Sequence, residues 1–188
     1  LSDLLHPYAF LLGTFVTTLF LMHGAIYVLM KTEGELHDKM RSRSHGCIIA
    51  FIITYTITTM ATLIYEPHMI ETLRERPFFF ILAVINIFAV ANIPRQIVAG
   101  RDHRAFFSSC LNIICLFALY AVGTYPNVIR SITNPEQLSI TVYNGASSAL
   151  TLKILFLFAL IGMPLVISYT TVIYYIFRGK VKLDKHSY

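Results

Sequence analysis

The chain has 188 residues, of which 56% are hydrophobic and only 13% charged, with a mean hydropathy of +0.65. A water-soluble domain carries about twice that share of charge, so composition excludes an ordinary soluble globule and points to an integral membrane protein. The formal net charge of +5 resembles a nucleic-acid signal until it is mapped along the chain, where it becomes an orientation signal.

Five apolar segments predict an all-α integral membrane bundle over residues 1–188. The first covers residues 7–30, with Pro7 in the first turn after His6. The second covers 46–65 and the third 78–93, the latter with a continuation past Pro94 as far as Ala99 left open. The fourth covers 105–124. The fifth, residues 149–177, reads ALTLKILFLFALIGMPLVISYTTVIYYIF, and its only charge is Lys153. As a helix it spans roughly 43 Å at about 1.5 Å per residue, more than the roughly 30 Å of hydrocarbon in a bilayer. Pro164 removes the hydrogen bond to the Leu160 carbonyl and predicts a kink, which Gly162 eases. Lipid tolerates such a break only where neighbours satisfy the freed carbonyl, so this helix is expected to pack against others supplied by the rest of the chain.

The connections set an orientation. Lys31, Lys39, Arg41 and Arg43 follow the first segment, Arg95, Arg101 and Arg104 the third, and Arg178, Lys180, Lys182 and Lys185 the fifth. The other side holds only Arg74, Arg76, Arg130 and Lys153. The positive-inside rule then predicts the N-terminus outside and the C-terminus in the cytoplasm, with no nucleic-acid partner. Residues 125–148 form a long outer loop, read as an ordered cap or as a docking surface. Within it SITVY alternates like a short strand with Ile140 and Val142 on one face, and Ser148 is a plausible N-cap for the last helix. Cys47, Cys110 and Cys115 lie in apolar stretches without CxxC spacing and read as packing residues. The first apolar run is too long, and too poor in basic leader residues, for a cleavable signal peptide.

Two patterns within the spans carry packing and chemistry. Gly46, Ala50, Thr54, Thr58 and Thr62 recur at four-residue spacing and read as one narrow small-residue stripe for close helix contact. Gly13, Thr17 and Gly24 form a looser version. His23, Asn86, Asn112 and Thr170 each lie eight or nine residues from a basic flank, so they are expected at one depth, about 12 Å inside the basic belt. Asn86 and Asn112 are expected within hydrogen-bonding reach. Polar residues are costly in lipid, and the plain reading of this layer is interhelical hydrogen bonding. A proton or quinone-headgroup site at His23 is the sharper alternative. Bis-His haem ligation needs a second histidine at that depth, whereas His6, His37, His45, His68, His103 and His186 fall at interfaces or in loops. No GxGxxG, Walker, HExxH or nucleophile-elbow motif occurs, and no two carboxylates lie within the membrane. No catalytic or metal-ligating residue is therefore expected. Spacing alone leaves open a bundle that binds or transports a small solute through its Thr- and Asn-lined interior.

Three stretches are more specific. HPYAFLLG…MHGAIYVLMKTEGELHDKMR (6–41), SITVYNGASSALTLKILFLFALIGMPLVISYT (139–170) and YYIFRGKVKLDKHSY (174–188) together resemble, in order, the C-terminal half of subunit II of cytochrome bd-type quinol oxidases. That resemblance implies a bacterial inner-membrane respiratory complex that oxidises quinol and reduces dioxygen to water. Haem b and haem d belong to subunit I in that family. Subunit II is then its haem-free partner, with two four-helix bundles. The family's membrane carboxylates for proton delivery lie in the N-terminal half of subunit II, so the resemblance transfers no catalytic residue to this chain. The implied partners are subunit I, the N-terminal bundle of subunit II, membrane lipid and quinone.

Overall fold

A computed structural model describes residues 6–180, the side chain of Thr72 excepted. Lys182 and Lys185, His186, and the end of the 174–188 stretch lie outside the described residues. The chain divides into two compact units, one reaching to Thr124 and including Lys180, the other Tyr125–Gly179.

The first unit opens with α1 (Pro7–Lys31), where His6 Nδ1 accepts from Tyr8 N at 3.3 Å and Pro7 occupies the first turn. Thr32 ends α1 in an extended conformation, and Gly34, at φ +64, starts α2 (Gly34–Tyr65). The expected start at residue 46 is therefore corrected by twelve residues, from 46 to 34. The charged stretch contains no proline, and Glu35 pairs with Lys39 one turn on at 2.6 Å. Helix thus runs on past the hydrocarbon. At 32 residues, α2 measures about 48 Å, longer than the roughly 30 Å of hydrocarbon, and its charged first turns are the part expected to stand clear of the lipid.

Residues 66–77 are not a bare loop. They contain α3 (His68–Glu75), which rests on α5 (Asp102–Thr124) at Gly123. A Cβ at Gly123 would meet the Met69 carbonyl oxygen and Cε, both at 3.1 Å. A 3₁₀ turn, Pro77–Phe79, leads into α4 (Phe80–Val98), which continues through Pro94. The third segment therefore takes the continuation past Pro94 that the sequence left open, with Ala99 as its C-cap. α5 begins three residues before the expected 105, because the Arg101 carbonyl accepts from both Arg104 N and Ala105 N.

Phe15, Leu19, Met22, Ile26 and Leu29 of α1 form the core with Ile48 and Phe51 of α2, Val90, Ile93 and Ile97 of α4, and Ala105 of α5. Polar ties close the end nearest the α1–α2 turn. Arg41 Nη2 donates to the Ile97 carbonyl at 2.7 Å and to Val98 at 3.3 Å, capping α4. His37 Nδ1 donates to the Leu29 carbonyl at 3.1 Å, and its Nε2 lies 3.8 Å from Asp102 Oδ2.

In the second unit, β1 (Asn127–Ile129) pairs antiparallel with β2 (Ile140–Thr141), with Asn127 opposite Thr141 and Ile129 opposite Ile140. Between them Asn134, at φ 49, leads into the single turn α6 (Pro135–Leu138). The Asn144 side chain fixes the hairpin end, accepting from Thr141 N at 2.6 Å and donating to the Ser139 carbonyl at 2.9 Å. The Tyr125 and Tyr143 hydroxyls share a hydrogen bond, which pushes the Tyr143 phenol above its usual pKa. Ser148 caps α7 (Ala149–Ile176), accepting from Thr151 N at 3.3 Å. α7 runs through Pro164, and none of its residues is buried. Apolar residues cover its whole circumference, which lipid can solvate directly.

Candidate functional site

The polar residues of the first unit meet where α2, α4 and α5 come together. Asn86 and Asn112 are fully buried. Asn86 Nδ2 donates to Asn112 Oδ1 at 2.8 Å and to the Asn112 carbonyl at 3.1 Å. Tyr55, from α2, donates its hydroxyl to Asn86 Oδ1 at 2.9 Å. Three helices are thereby joined through one amide. Asn112 Nδ2 is buried without a hydrogen-bond partner.

His23 joins a separate group. Its Nδ1 lies 2.9 Å from Ser109 Oγ, and Ser109 donates its one hydroxyl proton to the Phe106 carbonyl at 2.7 Å. Ser109 then meets the ring as an acceptor, a bond that calls for a proton on Nδ1. The ring stacks on Phe106 at 5.1 Å, with Tyr27 tilted against the same phenyl at 5.7 Å. Thr170 is exposed on α7 and makes no side-chain hydrogen bond among the described residues. Within the first unit the layer thus resolves into the Asn86–Asn112 pair and a His23–Ser109 pair, while Thr170 belongs to the second unit.

Sequence reasoning missed Tyr55 and Ser109, and also a second ladder toward the α4–α5 turn. There Gln96 Nε2 donates to Asn92 Oδ1 at 2.9 Å, Asn92 Nδ2 to Ser108 Oγ at 2.8 Å, and Ser108 to the Arg104 carbonyl at 2.9 Å. The available signal was the Asn92–Gln96 spacing of one helical turn, facing serines on the next helix.

The small-residue column of α2 is not one face. Thr54 bonds Thr18 at 2.7 Å, Thr62 bonds the Tyr8 hydroxyl at 2.9 Å, and Thr58 is buried. Gly46 and Ala50 are exposed, and a Cβ on Gly46 would meet nothing within 4 Å. Residues four apart lie about 40° further round a helix of 3.6 residues per turn. From Gly46 to Thr62 the column therefore winds roughly 160°, from the outer surface to the α1 contact. Gly13, Thr17 and Gly24 are exposed as well, on the side of α1 away from its buried residues.

His23 is the one described histidine at depth, and its Nδ1 is committed to Ser109. His6 caps α1, His37 and His45 bond backbone carbonyls, and His68 faces Glu66. Among the described residues no three His, Cys, Asp or Glu side chains converge.

The family model for cytochrome bd terminal oxidase subunit II matches residues 1–177. The chain belongs to that family. Relatives of subunit II include a probable cytochrome oxidase subunit 2 from Haemophilus influenzae, 28% identical over 89% of this chain and 51% of its own length. The cytochrome bd ubiquinol oxidase subunit 2 of Bacillus subtilis is 24% identical over 96% of this chain and 52% of its own. The cytochrome bd-I ubiquinol oxidase subunit 2 of Escherichia coli K12 is 24% identical over 95% and 54%. The chain spans about half the length of the curated relatives it matches. Among the described residues five helices are long and apolar enough to cross a membrane, and this family works in the bacterial inner membrane, so subunit II chains of this kind are multi-pass proteins there.

Proposed function

We propose that the chain is the C-terminal half of the haem-free subunit of a respiratory bd-type oxidase, which oxidises quinol and reduces dioxygen to water. Its own role is structural. It forms a bundle against which a haem-bearing subunit I is assembled, together with the N-terminal bundle of subunit II. The observation that carries this reading is the family match, continuous over residues 1–177. The Tyr55–Asn86–Asn112 junction supports it, since a triple-helix tie serves a rigid scaffold. The N-terminus outside and the C-terminus in the cytoplasm follow from the Lys/Arg asymmetry.

The test is to purify the complex through a tag on this chain and record a reduced-minus-oxidised visible spectrum with quinol-driven oxygen uptake. Haem b and haem d bands that co-purify with oxygen consumption are the expected result. A haem-free particle without oxygen uptake overturns the reading.

A further inference from the structure

Where α4 turns into α5, Gly100 holds a φ of +69, in the left-handed region that favours glycine, and the space beyond it is open. The turn borders a cavity of about 310 Å³ whose wall carries Arg101, His103, Arg104 and Lys180 beside buried Met30. Asp102 also borders it, but one of its carboxylate oxygens faces His37 and the other is buried. Lys180 lies 4.0 Å from Glu33, a long ion pair. Arg101 and Arg104 are exposed and make no side-chain hydrogen bond or ion pair among the described residues. From this mouth an apolar track runs along α5. Phe107, Leu111 and Ile114 are exposed by 69%, 43% and 63%, on the helix face that Arg104 begins.

We propose that this cavity is a binding site for an anionic phospholipid. Arg101 and Arg104 hold the phosphate, with Lys180 at the rim, and an acyl chain lies along Phe107, Leu111 and Ile114. Guanidinium forks match phosphate oxygens in charge and geometry. Basic pockets between spans, at the level of the headgroups, suit anionic lipid. The positive-inside rule accounts for which side these arginines occupy, but not for two free guanidiniums beside a cavity at the head of an apolar track. That pairing of head and tail chemistry selects a lipid over a soluble phosphate.

The proposal does not depend on oxidase activity, and neither does its test. The complete membrane complex containing this chain is stripped of lipid and reloaded with phosphatidylglycerol, and bound lipid is counted by native mass spectrometry. Arg101→Gln/Arg104→Gln is expected to weaken retention roughly thirtyfold, at about 1 kcal/mol per cation. The single Arg104→Gln, about fivefold weaker, serves if the double variant fails to assemble. Arg43→Gln/Arg95→Gln removes the same charge from the same side and is expected to change little. Excess inorganic phosphate is expected not to displace the lipid. Equal losses in the two double variants, unchanged retention in Arg104→Gln, or displacement by phosphate would each overturn the proposal.

Discussion

Asn86 uses both halves of its amide, accepting from Tyr55 and donating to Asn112. In a lipid-embedded bundle no water replaces a lost partner. Asn86→Leu therefore strands the Tyr55 hydroxyl and Asn112 Oδ1 together, at an expected cost of about 1–2 kcal/mol. Tyr55→Phe removes one donor and leaves the Asn86–Asn112 bond intact, so about 0.5–1 kcal/mol is expected. Unfolding of both variants in mixed micelles separates the two, and equal losses would show that Asn86 is not the junction. The His23 tautomer is open to a direct check. With ¹⁵N-labelled histidine, this ring should show a protonated Nδ1. A bare Nδ1 would mean that Ser109 donates to the ring and not to the Phe106 carbonyl.

Among the elements, the column from Gly46 to Thr62 does two different jobs because it winds. Thr58→Leu enlarges a buried side chain between packed helices, and about 1–3 kcal/mol of destabilisation is expected. Gly46→Leu enlarges an exposed position with open space above it and is expected to leave the α1–α2 pair intact. A disulfide cross-link between Thr18→Cys and Thr54→Cys, which replaces the 2.7 Å hydroxyl pair, reports the difference. It should form efficiently beside Gly46→Leu and poorly beside Thr58→Leu. The number and type of the spans were legible in the sequence because lipid imposes a length and an apolar composition on each one. Their ends were less so. The residues from Gly34 to His45 read as a loop through their charge, yet a helix clear of the lipid accepts charge freely, and Glu35–Lys39 reinforces it. The Asn86–Asn112 contact was legible because a short turn forces α4 and α5 to run antiparallel at matched depth. The roles of Tyr55 and Ser109 were not. An apolar helix face rich in Thr and Tyr does not reveal which hydroxyl points inward until the neighbouring helix is placed.

For the molecule in its membrane, the decisive quantity is the side on which the basic residues lie. Arg41 caps α4 and Asp102 faces His37, so the α1–α2 turn and the α4–α5 turn share one end of the first unit. Lys/Arg residues gather there, and by the positive-inside rule an excess of Lys/Arg marks the cytoplasmic side while acidic residues contribute little. That predicts the α2 overhang on the cytoplasmic side and the β1–β2 hairpin outside. Ser42→Cys, exposed on the overhang, and Thr133→Cys, exposed in the hairpin connection, can be probed with a membrane-impermeant maleimide. Cys47, Cys110 and Cys115 lie within the spans, where such a reagent does not reach. In intact spheroplasts Thr133→Cys should label and Ser42→Cys should not, and disrupting the membrane should expose Ser42→Cys. The reverse pattern would mean that charge does not set this topology, and the anionic lipid proposed at Arg101 and Arg104 would then belong to the outer leaflet.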